Sequence, residues 1–258
     1  MLNNQHCEDE NAVEVINRDG AGGVLLICEH ASSHIPARYG DLGLRPEWRH
    51  SHAAWDPGAL ALSRALSAAL DAPVVASRVS RLVYDCNRPP EAESAMPERS
   101  ELVEVPGNTG LTQAQRDERT ETIYRPFCAA VTDMIATGPR ALITVHSFTP
   151  VFFGVQRQTE IGILHDSDSR LADGMLQHAA DLPHRVIERN QPYGPEDGVT
   201  HSLKLHGIAH GLPNVMLEIR NDLLRDQEDV ERMSQELLTM IRPALEALSN
   251  AGEGGHDA

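Results

Sequence analysis

Three apolar runs, residues 24–27, 141–145 and 214–217, constrain this chain more than any other feature. Each hands over at its carboxyl end to a ligand-type residue: Cys28-Glu29-His30 after the first, His146-Ser147 after the second, Glu218 after the third. A short, continuous apolar run reads as a strand buried on both faces, the habit of parallel sheets. In open α/β sheets, sites are built at the carboxyl ends of such strands. Two imidazoles and a carboxylate delivered to that edge make a metal-plus-base set.

The rest of the chain alternates helical and extended segments. Asp56-Pro57 opens an apolar-periodic helix to about Leu70, since Pro after an Asp cap is a helix start. A strand is expected over 74–83, an irregular Pro- and Glu-rich stretch over 85–110, and a helix over 112–136 stopped by Gly138-Pro139. Residues 152–164 alternate in character, 169–180 and 200–210 read as helices, 185–188 as extended, and a long helix over 227–248 closes the chain. This order predicts an α/β protein with a mixed, mostly parallel sheet and helices on both faces. With 258 residues, 41% hydrophobic, and no repeat or linker, one domain over 1–258 is expected. Its core should span about 24–248, between an acidic flexible leader and a frayed glycine-rich tail.

A net charge of −16 argues against nucleic acid and anionic membranes as partners, though not against a small anionic substrate. The opening residues lack a basic segment followed by an apolar one, so no secretory signal is expected. No apolar stretch approaches the ~18 residues of a membrane span. Cys7, Cys28, Cys86 and Cys128 are scattered without a C-x-x-C, which points to a reduced, cytoplasmic protein. Neither a G-x-S-x-G elbow nor a short zinc-peptidase signature (H-E-x-x-H or H-x-x-E-H) occurs. The Gly20–Gly23 stretch precedes the first strand, where a phosphate loop would follow it.

Histidine is frequent, 13 of 258, so position must discriminate. His30 and His146 follow apolar strands directly and are the candidate metal ligands; His34, His50 and His52 read as loop residues that compete with them. Asp56 suits two tasks, a helix cap and a third ligand. In Ser80-Arg81-Leu82-Val83-Tyr84-Asp85-Cys86-Asn87-Arg88-Pro89-Pro90, two prolines lock an Asn-Arg pair. An Arg fork binds carboxylates in bidentate fashion, with Asn87 as a donor beside it and Asp85 free to orient either. Glu218 and Arg220 stand two apart on one strand and face the same side, so Glu218 is either a base or the buried partner of Arg220. Tyr193 and the Thr200-His201-Ser202 segment lie near a glycine loop that could form a substrate rim.

Together these motifs resemble the N-formylglutamate amidohydrolase (N-formylglutamate deformylase) family. The resemblance is carried by Glu29-His30-Ala31-Ser32, Trp55-Asp56, the 80–90 motif, Thr109-Gly110-Leu111, Val145-His146-Ser147-Phe148, Pro192-Tyr193 and Glu218-Ile219-Arg220-Asn221-Asp222, over about residues 24–245. It implies a zinc carboxypeptidase-like (phosphorylase/hydrolase-like) fold, related also to aspartoacylases, and one zinc per chain. It further implies His30 and His146 as zinc ligands, Glu218 as the base on an activated water, and Arg81 polarising the amide carbonyl. Asn87 and Arg88 would hold the substrate carboxylate, with Tyr193 and Arg220 as further substrate-binding residues. Zinc carboxypeptidases place a Glu three residues after the first His, where this chain has Ser33, so Asp56 is the expected third ligand. Ala54 also stands where histidine-degradation enzymes carry a His. The implied substrate is a small acidic N-acyl amino acid, with N-formyl-L-glutamate foremost. Another N-acyl amino acid, a γ-glutamyl amide, or carboxylate binding without turnover are the alternatives.

Overall fold

A computed structural model describes residues 11–253. In chain order its elements are β1 (Val13–Ile16), β2 (Val24–Cys28), α1 (Ala59–Leu70), β3 (Val74–Ser77), the paired short strands β4 (Arg99–Ser100) and β5 (Val103–Glu104), α2 (Gln113–Arg119) and α3 (Arg125–Ile135). There follow β6 (Ala141–Phe148), a second short pair β7 (Val151–Phe152) and β8 (Val155–Gln156), β9 (Ile161–Leu164), α4 (Arg170–Leu176), β10 (Ile187–Arg189), β11 (Asn214–Arg220) and α5 (Gln227–Glu253). Seven strands form one sheet in the order β1-β3-β2-β6-β11-β9-β10. β3, β2, β6 and β11 run parallel at its centre, while β1 against β3 and β9 against β11 are antiparallel.

Alternation along the central strands sends side chains to two cores. Leu26, Cys28, Val145 and Leu217 pack with α1, α4 and α5; Leu25, Ile27, Leu142 and Met216 pack with Phe127 and Val131 of α3. Each of the Leu, Ile, Val, Met and Phe side chains, fully removed from water, contributes roughly 1.5–3 kcal/mol. Burial on both faces makes the central strands continuous apolar runs, and their parallel direction puts their carboxyl ends on one edge. Among the described residues no helix is long and apolar enough to cross a membrane. Cys28, Cys86 and Cys128 are free thiols.

Several elements differ from expectation, each for a local reason. The acidic leader contributes β1, an edge strand on β3, so the sheet begins before residue 24; the leader's first ten residues and the last five of the chain lie outside the described residues. The strand expected over 74–83 stops at Ser77. Beyond it, side chains take over from the ladder: Ser80 Oγ donates to the Ala54 carbonyl at 2.8 Å, and Asn108 Nδ2 and Arg119 Nη1 donate to the carbonyls of Leu82 (2.8 Å) and Val83 (3.1 Å). The helix expected over 112–136 is split by a π turn, Thr120–Tyr124. Pro126 has no N–H for the carbonyl one turn back, and a wider turn accommodates the loss. Residues 200–210 are likewise a π turn followed by a 3₁₀ turn, and 152–164 holds a hairpin and the buried strand β9 instead of one alternating strand.

Candidate metal centre and active-site cavity

His30, Asp56 and His146 converge at the carboxyl edge of β2 and β6. His146 sits within β6 directly opposite Glu218 of β11, so both point to the sheet face of Leu142 and Met216. His30 follows β2, and its carbonyl accepts the backbone N–H of Asp56 at 3.0 Å, fixing the loop before α1. Asp56 Oδ2 is 3.2 Å from His30 Nδ1 and 3.0 Å from His146 Nδ1, and the two Nδ1 atoms are 3.1 Å apart. All three residues are buried, and their ligand atoms lie within 4.8 Å of one another.

The tautomers can be assigned from the far side of each ring. His30 Nε2 faces Asp85 Oδ1 at 2.7 Å, and His146 Nε2 lies 3.1 Å from Glu29 Oε2, at ion-pair distance though off-line for a hydrogen bond. Carboxylates there keep the protons on both Nε2 atoms, so the neutral rings turn their Nδ1 lone pairs toward each other and toward Asp56. Three lone pairs aimed at one point repel unless a cation or a proton lies between them. A tetrahedral ion with bonds of roughly 2.0–2.1 Å holds its donors roughly 3.3 Å apart, close to the spacing found. The donor set fits a zinc-type ion, and the carboxylates behind each imidazole are the usual support for such ligands.

Asp56 does not cap α1. The residue before that helix is Gly58, at φ +84°, and no side chain caps it. The Asp56 carboxylate is instead consumed by the two imidazoles, by the Ser147 N–H at 3.2 Å and by Arg81 Nη1 at 3.3 Å. Arg81 also reaches Asp85 Oδ2 at 2.9 Å, tying the metal-side carboxylate to the one behind His30. Burial disfavours charge on Asp56 and Asp85, but His30, and Arg81 with it, outweighs burial and holds both well below the ordinary range. His146 is raised despite burial, by Glu29 and Asp56. Glu218 differs: buried, with Oε2 unpartnered among the described residues, it is pushed up to about 7, chiefly by burial.

A cavity of about 210 Å³ opens over this cluster, lined by His30, Asp56, Arg81, His146 and Glu218 on its floor and by Arg88, Glu101, Phe152 and Tyr193 on its walls. A family model described as N-formylglutamate amidohydrolase matches residues 22–225. The chain belongs to the N-formylglutamate amidohydrolase family. A gene product of Agrobacterium tumefaciens of known crystal structure is 50% identical over 94% of this chain and 98% of its own, with a TM-score of 0.91. N-formylglutamate amidohydrolase from Ralstonia eutropha shares the fold at 18% identity and a TM-score of 0.68, covering 94% and 99% of the two chains. The likeness to a metallo-carboxypeptidase from Burkholderia cenocepacia is slight, at 12% identity over 87% and 57% of the chains and a TM-score of 0.39. No curated protein matches the chain.

Of the residues this family member was expected to use on substrate, Arg88 and Tyr193 face the cavity, and Asn87 lines it with its amide committed. Asn87 Nδ2 donates to the Val199 carbonyl at 2.6 Å and its Oδ1 accepts from the Ser202 N–H at 2.9 Å, which pins the loop before the π turn. Arg88 Nη1 is held by the carbonyls of Asn87 and Gly198 at 3.0 and 2.8 Å, leaving its charge without a carboxylate partner among the described residues. Arg220 stands apart from the cavity. It bonds Asp222 at 2.8 Å and the carbonyl of Arg157 at 3.2 Å, so it is not the buried partner of Glu218. His34 lies at a different pocket, His50 bonds Ser33, and His52 bonds Glu101 at 2.7 Å; none of the three joins the metal set.

Three neighbours of the site were not assigned these places from sequence. Glu29 immediately precedes His30, and Asp85 lies in the Asn-Arg motif, yet each backs an imidazole. Arg157 carries no local signal: it follows the β7–β8 hairpin, and its hydroxyl partner Tyr193 lies 36 residues further on. Gly162 explains how the Tyr193 loop comes so near Glu218: it is opposite Glu218 in register, and a Cβ there would lie 2.0 Å from the Gln191 carbonyl oxygen.

Proposed function

We propose that the chain is a zinc-dependent amidohydrolase of an N-acyl amide on a small acidic amino acid, with N-formyl-L-glutamate, giving formate and glutamate, as the first substrate. The observation that carries this is the convergence of His30, Asp56 and His146 beside Glu218, whose Oε2 has no partner among the described residues, in a cavity that also holds the Arg88 guanidinium, which meets no carboxylate among them. Zinc held by His30, Asp56 and His146 would supply an acidified water and polarise the carbonyl. Glu218 would take a proton from the attacking water and pass it to the amide nitrogen as the C–N bond breaks, the two tasks of one positioned acid–base group. Arg81, locked by Asp56 and Asp85, faces the oxygen on which negative charge develops. Arg88 holds the substrate carboxylate, away from the scissile bond, and Asn87 keeps the Arg88 loop in place.

A second reading has one observation in its favour: the Glu101 carboxylate, held by His52, stands on the cavity wall. An acceptor there suits an N-acyl amino acid whose side chain donates a hydrogen bond. Zinc-loaded protein assayed against N-formyl-glutamate, N-formyl-glutamine, N-acetyl-glutamate and a γ-glutamyl amide decides between them. N-formyl-L-glutamate should show the highest kcat/KM. Preference for the glutamine analogue supports the second reading, and no hydrolysis of any, with zinc bound, overturns both.

A further inference from the structure

Arg157 is a guanidinium without a counter-ion: no carboxylate among the described residues lies within ion-pair distance of it. Its planar head is instead enclosed by three rings that line the cavity, with Cζ 4.4 Å from the centroid of Phe152, 4.8 Å from Tyr193 and 5.4 Å from Phe148. Its Nη2 donates to the Tyr193 hydroxyl oxygen at 2.8 Å, and Nη1 reaches the Thr149 carbonyl at 3.4 Å. Stacking of this kind fixes a cation in place and orientation.

The consequence falls on Tyr193. A phenol oxygen that accepts from a fixed guanidinium has its own O–H left to donate elsewhere. Tyr193 lines the same cavity as Glu218 and Arg81, its loop brought in against Gly162 opposite Glu218, and both charges act on it; Arg81 has no lone pair to accept. We propose that Arg157 is a positioning residue: by donating to Tyr193 it turns the Tyr193 O–H into the cavity as a donor to the oxygen of the reacting acyl group. Tyr193 then acts beside Arg81 on the oxygen that gains charge, and Arg157 acts only through Tyr193. This rests on the amide-hydrolase reading above.

The test is a double-mutant cycle on zinc-loaded full-length protein with the best substrate of the panel. Tyr193→Phe should lower kcat on the order of 10²-fold, the usual loss of one oxyanion donor, with KM nearly unchanged. Arg157→Met, which keeps an unbranched apolar chain but removes the cation and its N–H donors, should lower kcat comparably; Arg157→Lys should recover part of it; and the double variant should be no worse than Tyr193→Phe alone. Multiplying losses in the double variant, or a raised KM at normal kcat, overturns the proposal, the latter assigning Arg157 to substrate binding. A second readout is independent of turnover and of the amidase reading. In protein carrying 13Cζ-tyrosine, whose four tyrosines are resolved by the Tyr193→Phe spectrum, Arg157→Met should move the Tyr193 titration midpoint upward by about one unit. A midpoint that stays put shows that the two groups are uncoupled and overturns the proposal even where wild-type turnover is normal. Wild type that binds zinc and hydrolyses nothing fails the amidase reading, while the midpoint still decides the coupling.

Discussion

The floor and the rim of the cavity are built by opposite rules. On the floor, His30, His146, Asp56 and Glu218 are between 2% and 6% exposed, and they stand at or beside the ends of central strands paired on both sides. The rim is made of two hairpins with strands of two residues each. There Leu102, Phe153 and Val155 are 66%, 59% and 67% exposed, and Glu101 and Phe153 take left-handed backbones at φ +53° and +46°. One hydrogen bond, Phe153 N–H to Glu101 Oε1 at 3.3 Å, joins the hairpins. Reacting groups sit where neighbours over-determine position, and the mouth is left to short segments that can change at little cost to the core.

The largest effect should come from the floor. His30→Ala combined with His146→Ala should take zinc from about one per chain to near none and abolish hydrolysis, read by elemental analysis and assay. Full metal content in that variant would break the comparison at its strong end.

Glu218→Gln sharpens it by separating chemistry from metal binding. Zinc content should hold while kcat falls on the order of 10² to 10⁴-fold. The same variant tests the buried carboxyl in metal-stripped protein. Burial raises Glu218 from 4.5 to about 7, so across that window the folded state keeps a proton that the unfolded chain releases. Its stabilising contribution is present below the lower value and is lost as pH rises through the upper one. His146, also raised, works in the same direction from a higher starting point. Between about pH 4.5 and 7, above the range in which the lowered Asp56 and Asp85 titrate, melting temperature should therefore fall with rising pH, and less steeply in Glu218→Gln; an identical slope in both proteins would refute the assignment.

Arg88→Lys, on the wall between floor and rim, should be intermediate. It keeps the charge and loses the fork, so kcat/KM on N-formyl-glutamate should drop on the order of ten- to a hundredfold with melting unchanged. Parity with wild type would remove Arg88 from the carboxylate subsite. The smallest effect is expected at the rim. Phe153→Gly relieves a left-handed backbone worth about 1 kcal/mol, so melting should shift by only about 2–4 °C, upward, with zinc retained. Loss of metal or collapse of the fold in this variant would erase the distinction between the two regions.

The sequence made the floor readable because each of its main groups ends a continuous apolar run, a signal that survives without tertiary information. It left Asp56 ambiguous because Asp before Pro is the same local pattern whether the carboxylate caps a helix or turns away to two imidazoles. Asp85 was readable as a polar member of a motif, but its partner, His30, is 55 residues distant. Arg157 and the hairpin strands had no periodicity to betray them. The break at Thr120–Tyr124 followed from Pro126 only once the flanking helix was fixed in place, and strand β1, four residues long, was too short to stand out from an acidic leader.

The facing lone pairs of His30, His146 and Asp56 have a calorimetric consequence. Without a cation, protonation is what relieves them, and both imidazoles are held above their ordinary pKa. A divalent ion seated there must expel those protons into the buffer. Its measured heat of uptake should then scale with the buffer's own ionisation enthalpy, and its affinity should weaken as the solution is acidified. A zinc-type ion held there would be released as acid returns those protons to the imidazoles.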